Sequence, residues 1–192
     1  MPDLFIIGGC NGAGKTTAYY NFIAKRFNCP NFVNADEIGK ELSELNEKSG
    51  PIAAGKEFYK RIAKLIADGE SFAFESTLAS KTLSSVITRC KQSGYKIHLV
   101  YFWLNNYELA IERVINRVKE GGHNIPKEDI QRRYFRGIRN LIEIYIPISD
   151  YYMVVDNSLP ESEIICEGIN GQEFFTFNKE KWEVINRLNY ER

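Results

Sequence analysis

The chain is poor in cysteine, and its four cysteines form no recognisable pattern. Cys10, Cys29, Cys90 and Cys166 stand far apart, with no C-x-x-C pair and no Cys/His cluster. That argues against a zinc module and against a disulfide framework, so free thiols in a reducing cytosol are expected. Net charge is also missing, with 25 basic against 25 acidic side chains. Neither a basic nucleic-acid-binding surface nor an acidic tail is therefore expected. Long apolar runs are absent too. The first one, LFII, is far too short to span a bilayer, and the N-terminus carries Asp3 instead of the basic residues of a signal peptide. A cytoplasmic protein that does not engage membranes is expected. No repeat, low-complexity segment or linker-like stretch interrupts the 192 residues.

What is present is the mix of an ordinary globular domain, 44% apolar and 26% charged, enough to bury a core. Strand-like runs at 4–9, 31–35, 71–75, 96–104 and 151–156 alternate with helix-like segments at 15–27, 52–68, 80–93, 107–119 and 126–146. Gly69 and Gly94 read as helix stops, Pro126 as a helix opener and Pro147 as a terminator. Ser80 reads as a helix cap. Residues 164–178 read as a hairpin turning at Asn170-Gly171, with a last helix near 179–189. Such alternation predicts a single α/β domain with a mostly parallel sheet covered on both faces, a three-layer sandwich with the hairpin added at one edge.

The strongest local signal is GGCNGAGKTT at 8–17. Gly9-x-x-x-x-Gly14-Lys15-Thr16 matches G-x-x-x-x-G-K-[ST], with the required strand before and helix after. Glycines let the backbone curl so that its N–H groups converge on a phosphate, and the helix N-terminus behind them adds partial positive charge. Gly9, Cys10, Asn11, Gly12, Ala13, Gly14, Lys15, Thr16 and Thr17 are the expected cradle. Lys15 is placed to reach the β- and γ-phosphates, and the Thr16 hydroxyl to coordinate Mg²⁺. Cys10 reads as a small residue that fits the loop, in preference to a low-pKa, redox-sensitive thiol.

A phosphate donor site raises the question of an acceptor. Ligands of open parallel sheets bind beyond the carboxyl ends of the strands, so polar residues following strands are the candidates. In FVNADEIGKEL, Asn34 reads as a helix N-cap with Glu37 as its capping-box partner, leaving Asp36 free to act as general base toward a hydroxyl. In FAFESTLAS, Glu75 is a candidate for Mg²⁺ or the acceptor, and Thr77 for a hydrogen bond to the acceptor. Arg113 and Arg117, and then Arg132, Arg133, Arg136 and Arg139, lie opposite the apolar stripes of two helices joined by GGHNIP. They read either as a solvated basic face or as a lid, about 113–136, that brings arginine to the transition-state charge. Arg117 and Arg133 bracket the loop most closely. His123 in that loop reads as structural. VVDNS at 154–158 is a candidate for the adenine pocket, through Asn157.

Taken together, IIGGCNGAGKTT, FVNADEIGKEL, SFAFESTLAS, RVKEGGHNIPKEDIQRRY and VVDNS resemble the zeta-toxin-type P-loop kinases, in particular their compact stand-alone branch. The resemblance covers about Leu4 to Ser158. It implies a P-loop NTPase sheet of strand order 2-3-1-4-5, an arginine-bearing lid and ATP with Mg²⁺. It also implies Asp36 as base toward the acceptor. Zeta toxins phosphorylate a hydroxyl of UDP-N-acetylglucosamine and are held inactive by a small antitoxin, so a small-molecule hydroxyl acceptor and an antitoxin partner are implied. The chain departs from the family where an arginine after the Glu-Ser-Thr segment helps hold substrate, because Leu78 and Ala79 stand there instead.

Two other readings remain. One is a regulatory NTPase without an acceptor. KIHLVYFWLNN ends in Asn where such a protein usually carries a Walker-B acid, although Glu75 is available for that part. The other is a kinase of nucleic-acid ends, which the zero net charge and the lack of a basic, aromatic-interleaved stripe disfavour.

Overall fold

The computed structural model describes residues 1–24, 29–44, 50–122 and 124–190. The end of the helix expected over 15–27 and His123 lie outside the described residues. Seven strands form one sheet: β1 (Asp3–Gly9), β2 (Asn31–Val33), β3 (Phe72–Ser76), β4 (Lys96–Trp103), β5 (Tyr151–Asp156), β6 (Glu163–Ile169) and β7 (Gln172–Thr176). Their order is 2-3-1-4-5-6-7. β1 to β5 pair in parallel, and β6 and β7 add antiparallel beyond β5. The expected five-strand order and the edge position of the hairpin are both found. The hairpin turns at Asn170-Gly171, whose φ angles of 52° and 73° are those of a type I′ turn.

Among the described residues the α-helices are α1 (Lys15–Ala18), which runs on into a π-helical segment, Tyr19–Ile23, α2 (Ala35–Glu44), α3 (Pro51–Asp68), α4 (Leu83–Gln92), α5 (Tyr107–Lys119), α6 (Lys127–Asn140), α7 (Ile146–Ile148) and α8 (Lys179–Leu188). Period-2 alternation splits the sheet between two layers. Leu4, Ile6, Phe72, Phe74, Ile97 and Leu99 join the larger core with Phe58, Ile62, Val114, Tyr134 and Ile185. Phe5, Ile7 and Ala73 face the other way, onto Tyr19 and Cys29. Each fully buried Leu, Ile or Phe contributes about 1.5–3 kcal/mol of transfer free energy, so this two-sided burial is what holds the sheet. α3 stops at Gly69, whose φ of 67° lets its N–H and that of Glu70 return to the Ile66 and Leu65 carbonyls.

Two expectations need correction. Pro147 does not end its helix. A π-helical segment, Leu141–Tyr145, intervenes after α6, and the chain turns again as α7, where Pro147 sits in a first turn and its missing N–H costs nothing. Ser80 does not cap α4. Thr82 is the N-cap, and the Ser80 hydroxyl instead accepts the Thr82 N–H in a turn ahead of the helix.

α6 lies directly on the loop after β3. The Asn140 amide donates to the Leu78 carbonyl at 2.7 Å, and the Tyr145 hydroxyl donates to the Ser80 carbonyl. At Gly137 the helix comes so close that an added Cβ would stand 2.6 Å from the Thr77 carbonyl oxygen. Gly137→Ala is therefore expected to destabilise the protein by about 1–3 kcal/mol in urea unfolding, although alanine favours a helix by about 1 kcal/mol. The steric effect wins because the neighbour is backbone and cannot rotate away.

Candidate active site

The strand–loop–helix unit that carries the expected cradle residues forms. β1 ends in the centre of the sheet and the chain turns through 10–14 into α1. Gly14 occupies the N-cap position with φ 82°, a left-handed conformation that favours glycine. Lys15 is buried, and its ammonium donates to the Cys10 carbonyl at 2.9 Å, across the loop. Thr17 is exposed, while Asn11 and Ala13 are buried. Burial pushes the Cys10 thiol up to about 11, against the opposing pull of Lys15. Cys10 is thus a small, protonated residue of the loop and not a reactive thiolate.

Glu75 meets this cradle. Its register partner on β1 is Ile7, and the alternation that buries Phe72 and Phe74 on one face sends Ala73 and Glu75 to the other. The Thr16 hydroxyl donates to Glu75 Oε2 at 2.6 Å. Neither Glu75 nor Asp36 lines the cavity between the loop after β3 and α6.

Asn34 caps α2, accepting the N–H groups of Asp36 at 2.8 Å and Glu37 at 3.4 Å. Asp36 projects exposed from the first turn, at the carboxyl end of β2 and beside β3. The expected capping-box role of Glu37 gives way to another contact, since its carboxylate accepts from the Tyr20 hydroxyl at 3.2 Å.

A cavity of about 670 Å³ opens between the loop after β3 and the polar face of α6. Thr77, Ser80 and Lys81 line one side, and Arg132, Arg133, Arg136, Arg139 and Asn140 the other. No carboxylate stands among these lining residues. Arg132 is partly neutralised by Asp129 at 2.5 Å, and Arg139 donates to the Asn189 carbonyl at 3.3 Å. Arg133 spans the two halves of the site: it lines the cavity and its Nη1 donates to Asn11 of the cradle at 3.4 Å. Leu78, between Thr77 and Ala79, is fully buried with φ 55°, a strained conformation for leucine that Asn140 and α6 hold in place.

The structure brings some of the expected site residues together and leaves others apart. Thr16 meets Glu75, Lys15 turns to the Cys10 carbonyl, and Arg133 and Thr77 line one cavity. Arg117 is half-buried one turn beyond Arg113, its stem close against Gly122, and does not line that cavity. Asn157 turns its amide to the Ala13 carbonyl at 2.8 Å. Of the six candidate lid arginines, Arg132, Arg133, Arg136 and Arg139 line the cavity and Arg113 and Arg117 do not; Lys81 is an addition that the sequence reading missed. The helical spacing of the arginines was a signal for a shared face, but nothing in the sequence said what that face meets.

A β1–loop–α1 phosphate cradle at the centre of a 2-3-1-4-5 sheet, with a basic helix over an adjoining cavity, defines a P-loop kinase-type architecture. The comparisons narrow this. The sequence matches the zeta toxin family over residues 1–146, and the chain belongs to that family. It is 29% identical to an uncharacterized protein of Haemophilus influenzae over 127 residues, 66% of this chain and 88% of that one. Its fold is similar to a chain of the AvrRxo1-ORF1:AvrRxo1-ORF2 complex solved with sulphate ions. The TM-score is 0.78 at 19% identity, covering all of this chain and 65% of that one. The same complex solved with ATP gives a TM-score of 0.77 at 19% identity, with the same coverage. The PezAT chromosomal toxin-antitoxin system of Streptococcus pneumoniae gives 0.63 at 20% identity, covering all of this chain and 88% of that one. Among the described residues no helix is long and apolar enough to cross a membrane.

Proposed function

We propose that the protein is an ATP-dependent phosphotransferase that moves the γ-phosphate to a hydroxyl of a small anionic metabolite, with nucleotide sugars the first class to test. The observation that carries this is Arg133, which touches the phosphate cradle and lines a basic cavity large enough for a metabolite. A regulatory NTPase needs a positioned water and has no use for such a cavity. Four arginines and a lysine around it favour an acceptor with more than one negative charge. The family's arginine after Glu-Ser-Thr is missing here, and Arg136 and Arg139 on α6 are placed to supply that charge from the other wall.

In the proposed reaction the acceptor hydroxyl oxygen attacks the γ-phosphorus, the bond to the β-γ bridging oxygen breaks, and Asp36 takes the hydroxyl proton. Lys15 and Arg133 offset the charge on the transferring group. The Thr16 hydroxyl and Glu75 carboxylate are hard oxygen donors side by side, which fits Mg²⁺, an ion that keeps several waters and needs few protein ligands. When bound, the ion would neutralise phosphate charge. Because the neighbouring structures include a toxin-antitoxin system, a small inhibitory protein partner is also proposed.

The test is ATP turnover with Mg²⁺ across a metabolite panel containing UDP-sugars, with products weighed by mass spectrometry. One anionic acceptor is expected to stimulate turnover and gain one phosphate. Acceptor-independent hydrolysis, unchanged across the panel, would replace the kinase with the regulatory NTPase.

A further inference from the structure

The family match stops at residue 146, yet the segment beyond it touches the cradle. Asp156 closes β5 with a side chain that is almost fully buried, and each of its oxygens is taken. Oδ2 receives Lys181 Nζ at 2.6 Å, and Oδ1 accepts the Ser158 N–H at 2.8 Å and the Ser158 hydroxyl. Burial alone would raise this carboxyl, but Lys181 and Ser158 outweigh it and hold it below its ordinary value. The turn so fixed presents two groups to the cradle. The Asn157 amide donates to the Ala13 carbonyl at 2.8 Å, with the Ser162 hydroxyl on its oxygen at 2.6 Å. The Ser158 carbonyl accepts Arg113 Nη2 at 2.9 Å, while Nη1 of that guanidinium reaches the Gly12 carbonyl at 3.5 Å.

Lys181 is oddly placed for a helix. It lies in the first turn of α8, where its own N–H goes to the N-cap Asn178 and a positive charge opposes the helix dipole. Its charge serves the two carboxylates it meets, Asp156 and Glu163, both at 2.6 Å. A planar trans peptide points its N–H opposite its carbonyl. Holding the Ala13 carbonyl from behind therefore sets the direction of the Gly14 N–H, one of the groups that a phosphate-binding loop must aim.

We infer that the Lys181–Asp156 pair is a positioning device for nucleotide binding, by which α8 sets the shape of the phosphate cradle through Asn157. The inference rests on the ATP-binding reading above. Lys181 and Asp156 are positioning residues, since neither faces the phosphate itself.

Calorimetric titration with a non-hydrolysable ATP analogue and Mg²⁺ tests this, alongside thermal melting of each variant. Lys181→Met is expected to weaken analogue binding about tenfold, the consequence of loosening one charge-assisted contact. Lys181→Arg, which keeps the charge, is expected to bind within about threefold of wild type. Ser162→Ala removes only an exposed hydroxyl that orients Asn157, so it keeps the fold and is expected to weaken binding about threefold. A lower melting temperature for Lys181→Met with wild-type affinity, and no effect of Ser162→Ala, overturns the inference and leaves a purely structural ion pair. Lys15→Ala separates the two levels of the argument. Its loss of binding beside a wild-type-like Lys181→Met sinks the device alone, whereas a wild type that binds no analogue sinks the ATP reading and the device together.

Discussion

Arg133→Ala is expected to lower kcat for phosphoryl transfer by about a thousandfold, the low end for removing an arginine that meets transition-state charge. ATP binding is expected to change little, because Lys15 and the loop backbone do not depend on Arg133. The contrast with Arg136→Ala is the informative part. Arg136 lines the cavity without a hydrogen bond to the cradle among the described contacts, so its loss is expected to raise the acceptor KM and leave kcat nearly unchanged. Steady-state kinetics on both variants, with the acceptor from the metabolite panel, separates these outcomes. Equal effects on KM and kcat in the two variants would show that Arg133 has no special place between donor and acceptor.

Asp36→Asn is expected to lower transfer by about 10²–10⁴-fold, the usual contribution of a positioned general base. Asparagine keeps the size of the side chain and leaves the helix cap untouched, since Asn34 does the capping through the Asp36 and Glu37 N–H groups. Folding and ATP binding therefore serve as internal controls. If transfer persists at the wild-type rate, Asp36 is only an exposed residue of a first turn, and the base lies elsewhere. The slow acceptor-independent hydrolysis of ATP is expected to be the same in both proteins, because water needs no base on that side of the site.

The phosphate cradle was readable because its information is local. Ten consecutive residues carry the glycines, the lysine and the threonine, and the flanking strand and helix are within a few residues. The Asn34 cap and the Asn170-Gly171 turn were readable for the same reason, each being a preference of one or two residues for a particular backbone conformation. Pro147 and Ser80 misled in the same local language. The π-helical segment before Pro147 arises within a chain packed against the loop after β3, which no proline rule contains.

The cavity was not readable. Arginines at 132, 133, 136 and 139 announced a basic helix face, but a face becomes a site only when another surface meets it. That surface is Thr77 to Lys81, some fifty residues away in sequence, and the close approach depends on Gly137 and on a strained Leu78 that no turn preference foretells. Asn157 shows the same limit: its partner, Ala13, lies 144 residues back. The sequence by itself determined that a glycine-rich loop joins the first strand to a helix, because a backbone that curls this tightly needs glycine at fixed spacing. Only the tertiary structure decided what stands opposite that loop, because contacts between distant elements depend on how whole helices pack on the sheet and not on any short run of residues.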